Sequence, residues 1–133
     1  MSTLSHKKQK SLRYQLRAFR FAFNGLVDFF RLELKAVIHF LLALVAIWLG
    51  IVLKLNSIEW IAVCIAIGIV FIAELFNTSI ERIIDHISPE SSEMAKVTKD
   101  LSAGAVLVAA LTTLSIGAIV FIPKLLIILG IAL

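Results

Sequence analysis

The sequence predicts an all-α integral membrane protein: an amino-terminal amphipathic helix on the membrane surface, then three transmembrane helices. Three observations lead to this fold class. Hydrophobic residues make up 60% of the 133 positions, above the roughly 45 to 50% of soluble domains. Three apolar segments, at about 36–53, 58–87 and 95–122, are long enough to span. All lysines and arginines except Lys54 and Lys124 lie before the first segment or at positions 82–99, around the connection between the second and third segments, so we expect both regions to be cytoplasmic.

The chain begins with a basic tail, residues 1–10, which we expect to be disordered. The surface helix follows at residues 11–35. Its apolar side chains recur at alternating spacings of four and three residues, beside a face that carries arginines. These apolar residues are Leu12, Leu16, Phe19, Phe23, Leu26 and Phe30. The pattern is typical of a helix that lies along the membrane surface.

Two features of the spans concern packing. His39 lies near the cytoplasmic end of the first span, where we expect a polar packing role. Small residues open the third span and predict close approach of neighbouring helices; they are Ser102, Ala103, Gly104, Ala105, Ala109 and Ala110.

Residues 125–133 are too few to cross the membrane, so we expect them at the far interface unless they prolong the third helix past Pro123.

A polar stripe interrupts the middle span at its cytoplasmic end. At about 100° per residue, its members fall within roughly 100° of one another on the helix; they are Glu74, Asn77, Thr78, Glu81 and Asp85. The helix rises about 24 Å from Ile58 to Glu74, most of the roughly 30 Å hydrocarbon core. We therefore expect Glu74 just inside one interface. Ionisable residues at such depth usually face a bundle interior and serve a function.

The composition also excludes several kinds of site. The glycines are never closer than thirteen residues apart, so the chain has neither a Gly-rich phosphate loop nor a dinucleotide-binding fingerprint. The excess of basic residues suits anionic lipid headgroups and requires no nucleic acid partner. A bound polyphosphate would need a divalent cation on carboxylates and a lysine. Glu33, Glu81 and the pair Lys99 and Asp100 would meet these needs at the cytoplasmic interface.

These residues carry a resemblance to a known family. The run AELFNTSIE at 73–81, then Asp85, then AKVTKDLSAGAVL at 95–107 resembles the prokaryotic diacylglycerol kinases, a family that includes undecaprenol kinases. Gly25 followed eight positions later by Glu33 also matches. The family resemblance implies a homotrimeric helical bundle in the bacterial inner membrane, with active sites between subunits on the cytoplasmic side. It implies ATP and Mg²⁺ as cofactors and a membrane lipid alcohol as substrate.

Site residues carry over from the family position by position. Glu74 resembles the catalytic carboxylate, and Glu33 and Glu81 resemble the metal-binding pair. The remaining matches are to nucleotide-contacting positions, and Arg13 is the nearest candidate for an arginine at the start of the surface helix. These cofactor-binding candidates are Asn77, Asp85, Glu90, Lys99, Asp100 and Arg13.

Several alternatives stay open from the sequence. The acceptor is expected to be diacylglycerol. Undecaprenol stays as the alternative, because nothing in the polar stripe separates the two lipids. A small cation or proton transporter is a more distant alternative, since membrane carboxylates also mark ion pathways. The stretch between Glu59 and Glu74 is apolar, which argues against a continuous pathway. The charges could also be solvated helix ends or topology determinants.

Overall fold

The computed structural model of the chain describes residues 2–88 and 92–131, with side chains described from residue 14 onward. Over these ranges the secondary structure is helical, in the order α1 (Ser2–Leu32), α2 (Leu34–Val52), α3 (Ser57–Ile87) and α4 (Glu93–Ile128). Helices α2, α3 and α4 are each long and apolar enough to cross a membrane. The prediction of an all-helical chain with three candidate spans is therefore confirmed. Contacts divide the chain into two units, Met1–Leu34 and Lys35–Leu133.

The first unit consists of α1 and the residues that end it. The backbone of residues 2–10 is helical, where the sequence led us to expect a disordered tail. Of the apolar stripe predicted on this helix, Leu16, Phe19 and Phe23 are exposed. Regular helix ends at Leu32, although the Glu33 amide still donates to the Phe29 carbonyl oxygen at 3.0 Å. Arg13 lies in α1, but its side chain falls outside the described residues.

The second unit is built on the pairing of α3 with α4. A small buried cluster holds these helices to the end of α2 and to the connection that follows it. Its members are Leu53, Leu55, Val63 and Val120. Large apolar side chains on other faces, such as Trp48 and Leu101, are exposed. Exposed apolar faces are expected of helices that meet lipid, because lipid tails are as apolar as these side chains.

The connection between α2 and α3 is fixed by capping at both helix ends. Lys54 adopts a positive φ of 51°, and the Leu55 amide reaches back to the Gly50 carbonyl oxygen at 3.0 Å, as in a Schellman-type helix end. The Asn56 side chain accepts from the amides of Ile58 and Glu59, and the Glu59 carboxylate accepts from the Asn56 amide. This capping box satisfies donors that would otherwise be unpaired at a helix start.

An ion pair joins the same end of α3 to the end of α4. Lys124 Nζ lies 3.0 Å from Glu59 Oε2. Glu59 and Lys124 mark what we call the far end of the second unit. The opposite end, where α3 finishes and α4 begins, is called the acidic end, because Glu74, Glu81, Asp85 and Asp100 lie towards it.

Helix α4 runs through Pro123 and ends at Ile128. Residues 125–128 therefore prolong the third helix, the alternative that the sequence left open. At the other end, the Ser92 hydroxyl caps α4 by accepting from the Ala95 amide at 3.1 Å. The cap fixes the helix start one turn before Lys96 and two turns before Lys99, and so sets the positions of both lysines.

Replacing Gly50 with alanine should destabilise the second unit. A Cβ atom at Gly50 would lie only 2.7 Å from a ring carbon of Trp60, and a bulky indole packed into the α2–α3 connection has little room to move. Overpacking of this kind usually costs about 1 to 3 kcal/mol. Thermal unfolding in detergent should show a lower midpoint for Gly50→Ala. In contrast, Gly68→Ala should unfold at or above the wild-type temperature, because a Cβ at Gly68 meets nothing within 4 Å.

Candidate active site

The polar stripe of α3 passes from buried to exposed as the helix approaches its acidic end. Glu74, Asn77 and Thr78 are buried, with exposed fractions of 3%, 2% and 7%. Glu81 is half-buried and Asp85 is exposed. The side chains of the stripe therefore become more exposed towards the acidic end, and their depth in the bilayer stays a prediction.

Only one of the two carboxylate oxygens of Glu74 has a hydrogen-bond partner among the described residues. His39 Nε2 on α2 lies 3.1 Å from Glu74 Oε1. The other oxygen, Oε2, is buried and has no hydrogen-bond partner among the described residues. Leaving a buried carboxylate oxygen unpaired is costly. Such an atom is suited to accept a hydrogen bond from a bound substrate.

Asn77 is held from α4 by Ser102. The Ser102 hydroxyl lies 2.7 Å from Asn77 Oδ1 and 2.9 Å from the carbonyl oxygen of Lys99, and it can donate to either acceptor. Both side chains are buried. When the hydroxyl donates to Oδ1, the amide group of Asn77 stays free to donate elsewhere. Ser102 therefore orients Asn77 in addition to allowing close helix packing.

A pocket of about 290 Å³ lies at the acidic end, between the end of α3 and the start of α4. Asp85, Lys96, Lys99 and Asp100 all contribute to its wall. Lys99 forms an ion pair with Asp85. Three of the predicted nucleotide-contacting residues, Asp85, Lys99 and Asp100, are thus brought together on one small pocket with a second lysine, Lys96. The ammonium groups of the two lysines can bind phosphate oxygens.

The predicted metal ligands lie in different units. Glu33 belongs to the first unit and Glu81 to the second, so their pairing stays a prediction. Within residues 2–88 and 92–131, no three His, Cys, Asp or Glu side chains form a group that could hold a metal ion. Glu90, predicted to contact nucleotide, lies outside the described residues.

An apolar groove of about 520 Å³ lies beside the site, bounded by α2, α3 and α4. His39 and Thr113 are its polar lining residues, and the remaining walls are apolar, including Leu42, Val70 and Phe121. The α4 residues that line it run from Ala110 to Ile122, a rise of about 18 Å. The groove is therefore long enough for much of a lipid chain, with His39 in its wall.

Two residues of this site were given only packing roles from the sequence. The sequence predicts a polar packing role for His39, whereas the structure shows it bonded to the buried carboxylate of Glu74, 35 positions away in the sequence. The sequence predicts that Ser102 is a small residue that lets helices approach closely, whereas the structure also shows its hydroxyl bonded to Asn77. Helical periodicity relates residues on one helix, and both of these bonds join two helices. The only available signal was a polar residue on an otherwise apolar span.

Comparison with known proteins identifies the family of the chain. A family model described as prokaryotic diacylglycerol kinase matches residues 20–121. The chain is 34% identical over 125 residues to an undecaprenol kinase of Bacillus subtilis, covering 94% of this chain and 100% of the relative. It is 33% identical over 112 residues to a diacylglycerol kinase of Synechocystis sp., covering 84% and 64%. A diacylglycerol kinase of Sinorhizobium sp. is 33% identical over 106 residues, covering 76% and 73%.

The matched region includes α2, α3 and most of α4, and so contains Glu74, Asn77, Lys99 and Asp100. The three apolar helices and the family match together identify a multi-pass membrane protein that acts on a lipid with a nucleotide phosphate donor. The chain belongs to the prokaryotic diacylglycerol kinase family and is a membrane lipid kinase.

Proposed function

We propose that the chain transfers the γ-phosphoryl group of ATP to the hydroxyl of a membrane lipid alcohol, with Glu74 as the catalytic base. The observation that carries this proposal is the buried Glu74 carboxylate, with one oxygen held by His39 and the other unpaired. A lipid alcohol keeps its tail in the bilayer and its hydroxyl at the interface, the depth expected for Glu74. Diffusion in the membrane then delivers the substrate to this carboxylate.

In the proposed reaction, Glu74 accepts the proton of the lipid hydroxyl as the hydroxyl oxygen attacks the γ-phosphorus. The bond between the γ-phosphorus and the bridging oxygen breaks, and ADP leaves. Lys99 stabilises negative charge on the group in transfer. Phosphoryl transfer depends mainly on positioning and charge stabilisation, which a base and a lysine held on packed helices can supply.

The nucleotide is proposed to bind at the pocket of the acidic end. Asp85 holds Lys99 beside this pocket, and Asp100 contributes to the same wall. Arriving phosphates would compete with Asp85 for Lys99, since both are anions. Asn77 is proposed to donate to the nucleotide through the amide group that Ser102 leaves free. Glu90 and Arg13 are proposed to complete the nucleotide contacts, as the family resemblance implies.

We propose that carboxylates bind a magnesium ion that arrives with the nucleotide. Mg²⁺ is commonly held by one or two carboxylates together with substrate phosphates and water, so a three-residue protein cluster is not required. Glu81 and Glu33 are the proposed ligands, and Glu81 is half-buried one turn from buried Asn77. When bound, the ion neutralises charge on the phosphates. Glu81 would hold the ion from the same helix that carries Glu74.

We further propose a bacterial inner-membrane location, a cytoplasmic active site and a homotrimer with sites shared between subunits. The positions of lysine and arginine support a cytoplasmic acidic end. Helix α1 would lie on that membrane surface, with its arginines at the headgroups. Ala103 and Ala105 on α4 are exposed, and small exposed side chains on a spanning helix allow another helix to approach closely.

Two acceptors are candidates, diacylglycerol and undecaprenol. Relatives that carry each name match the chain, and the relative covered along its whole length is the undecaprenol kinase. Diacylglycerol would present a glycerol hydroxyl with two acyl chains. Undecaprenol would present the hydroxyl of a single long isoprenoid chain. An apolar groove beside the site suits the tail of either lipid.

A radiolabelled ATP assay with both lipids in one bicelle preparation tests the proposal. We expect label to appear in phosphatidic acid or in undecaprenyl phosphate, and the ratio of kcat/KM values identifies the acceptor. The label should depend on the added lipid alcohol and on magnesium. Ion flux into proteoliposomes without labelled lipid would instead favour the transporter alternative.

A further inference from the structure

His39 lies where the catalytic carboxylate meets the apolar groove. Its Nε2 atom is 3.1 Å from Glu74 Oε1, and its side chain lines the groove of about 520 Å³. The side chain of Glu74 is 4% exposed and that of His39 is 25% exposed. The imidazole therefore covers the buried carboxylate on one side while remaining partly open on the other.

A carboxylate has two equivalent oxygens, so an unrestrained glutamate can turn either one towards a substrate. In Glu74 the two oxygens differ, because Oε1 lies against His39 and Oε2 has no partner among the described residues. The separation of 3.1 Å between Nε2 and Oε1 is within the range of an N–H···O hydrogen bond. The bond also joins α2 to α3, so rotation of the carboxylate would have to break a contact between helices.

We propose that His39 is a positioning residue for Glu74. The Nε2–H group donates to Oε1, fixes the carboxylate, and leaves Oε2 as the oxygen that accepts the proton of the lipid hydroxyl. This inference rests on the proposed function, because it assumes that Glu74 is the base. His39 itself accepts no proton from the substrate and forms no bond to it in this scheme.

The role requires an N–H group at a defined place, and this distinguishes it from packing. Glutamine can place its amide nitrogen close to the position of Nε2, so His39→Gln keeps the donor while removing the imidazole. Leucine fills similar space in the groove without a donor. Asparagine is polar but too short to reach Oε1. Thr112→Val provides a matched control, because Thr112 is an exposed residue of α4 that bonds the Val108 carbonyl oxygen of its own helix and lies outside the groove lining.

Initial rates of lipid phosphorylation should be measured for these variants and for Glu74→Gln, with thermal unfolding measured in parallel. We expect His39→Leu to lower kcat about 100-fold, with KM for ATP unchanged, since misplaced catalytic groups cost rates of this order. His39→Gln should recover most of the rate, and Thr112→Val should match wild type. If His39→Leu does not fold, His39→Asn takes its place with the same expected loss.

Three results would overturn the inference. They are a wild-type kcat for His39→Leu or His39→Asn, equal losses for the leucine and glutamine variants, and an equal loss for Thr112→Val. With Glu74→Gln inactive, any of these refutes the role of His39 alone. A fully active Glu74→Gln variant would instead refute the base assignment, and with it the inference. A wild-type protein that labels neither lipid would refute the proposed function.

Discussion

Glu74→Gln should abolish most lipid phosphorylation while leaving nucleotide binding intact. The glutamine side chain has the shape of glutamate and can still accept from His39 through its amide oxygen. It cannot take the proton of an attacking hydroxyl. Loss of a positioned general base typically costs about 10²- to 10⁴-fold in rate. KM for ATP should stay within about twofold, because an interaction used only in the transition state leaves ground-state binding unchanged.

The measurement is kcat and KM from transfer of radiolabelled phosphate to lipid, with folding checked by thermal unfolding. The unfolding temperature should change little, because glutamine keeps the size of glutamate and its contact with His39. Glu59→Gln is the matched control. Glu59 is a carboxylate on the same helix, about 22 Å along α3 from Glu74, and it pairs with Lys124. A Glu74→Gln variant with the kcat of the Glu59→Gln control would remove Glu74 from the mechanism.

Glu81→Gln should lower the affinity for the magnesium–nucleotide complex more than it lowers the rate of the chemical step. An amide oxygen is a weaker ligand for Mg²⁺ than a carboxylate, which is charged. We expect the magnesium concentration for half-maximal rate to rise about tenfold, corresponding to about 1.4 kcal/mol of binding free energy. Raising magnesium should restore much of the rate, because Glu74 and Lys99 remain in place.

The measurement for Glu81→Gln is the rate of lipid phosphorylation as magnesium is titrated at a fixed ATP concentration. Glu93→Gln serves as its control, since Glu93 is an exposed carboxylate in the first turn of α4 and has no proposed ligand role. Both variants lose one negative charge, so any general effect of charge on ATP affinity appears in both. Normal magnesium dependence in Glu81→Gln would exclude this residue as a ligand.

Much of the fold followed from composition and periodicity. The three spans are long apolar runs, and hydropathy alone locates such runs because backbone groups in a bilayer must pair within helices. The ends were harder to predict. Helix α4 passes through Pro123, although proline removes one backbone hydrogen bond and often ends a helix. Residues 2–10 are helical, although their charge favoured a disordered tail.

Only part of the candidate site could likewise be predicted from the sequence. The stripe from Glu74 to Asp85 lies on one helix, so helical geometry alone predicted its common face. The partners of the stripe lie on other helices. The bonds from His39 to Glu74 and from Ser102 to Asn77 depend on how helices pack, and a single sequence contains no record of that packing.

The central claim is that a lipid hydroxyl meets the acidic face of α3, and photolabelling tests it most directly. A lipid alcohol with a photoreactive group beside its hydroxyl would be irradiated with the protein and a non-hydrolysable ATP analogue with magnesium. Mass spectrometry should find the label on α3 near Glu74 and on α2 near His39, and excess unlabelled lipid alcohol should suppress it. Specific label at the far end, near Glu59 and Lys124, would show that the hydroxyl binds elsewhere and would refute the proposed reaction.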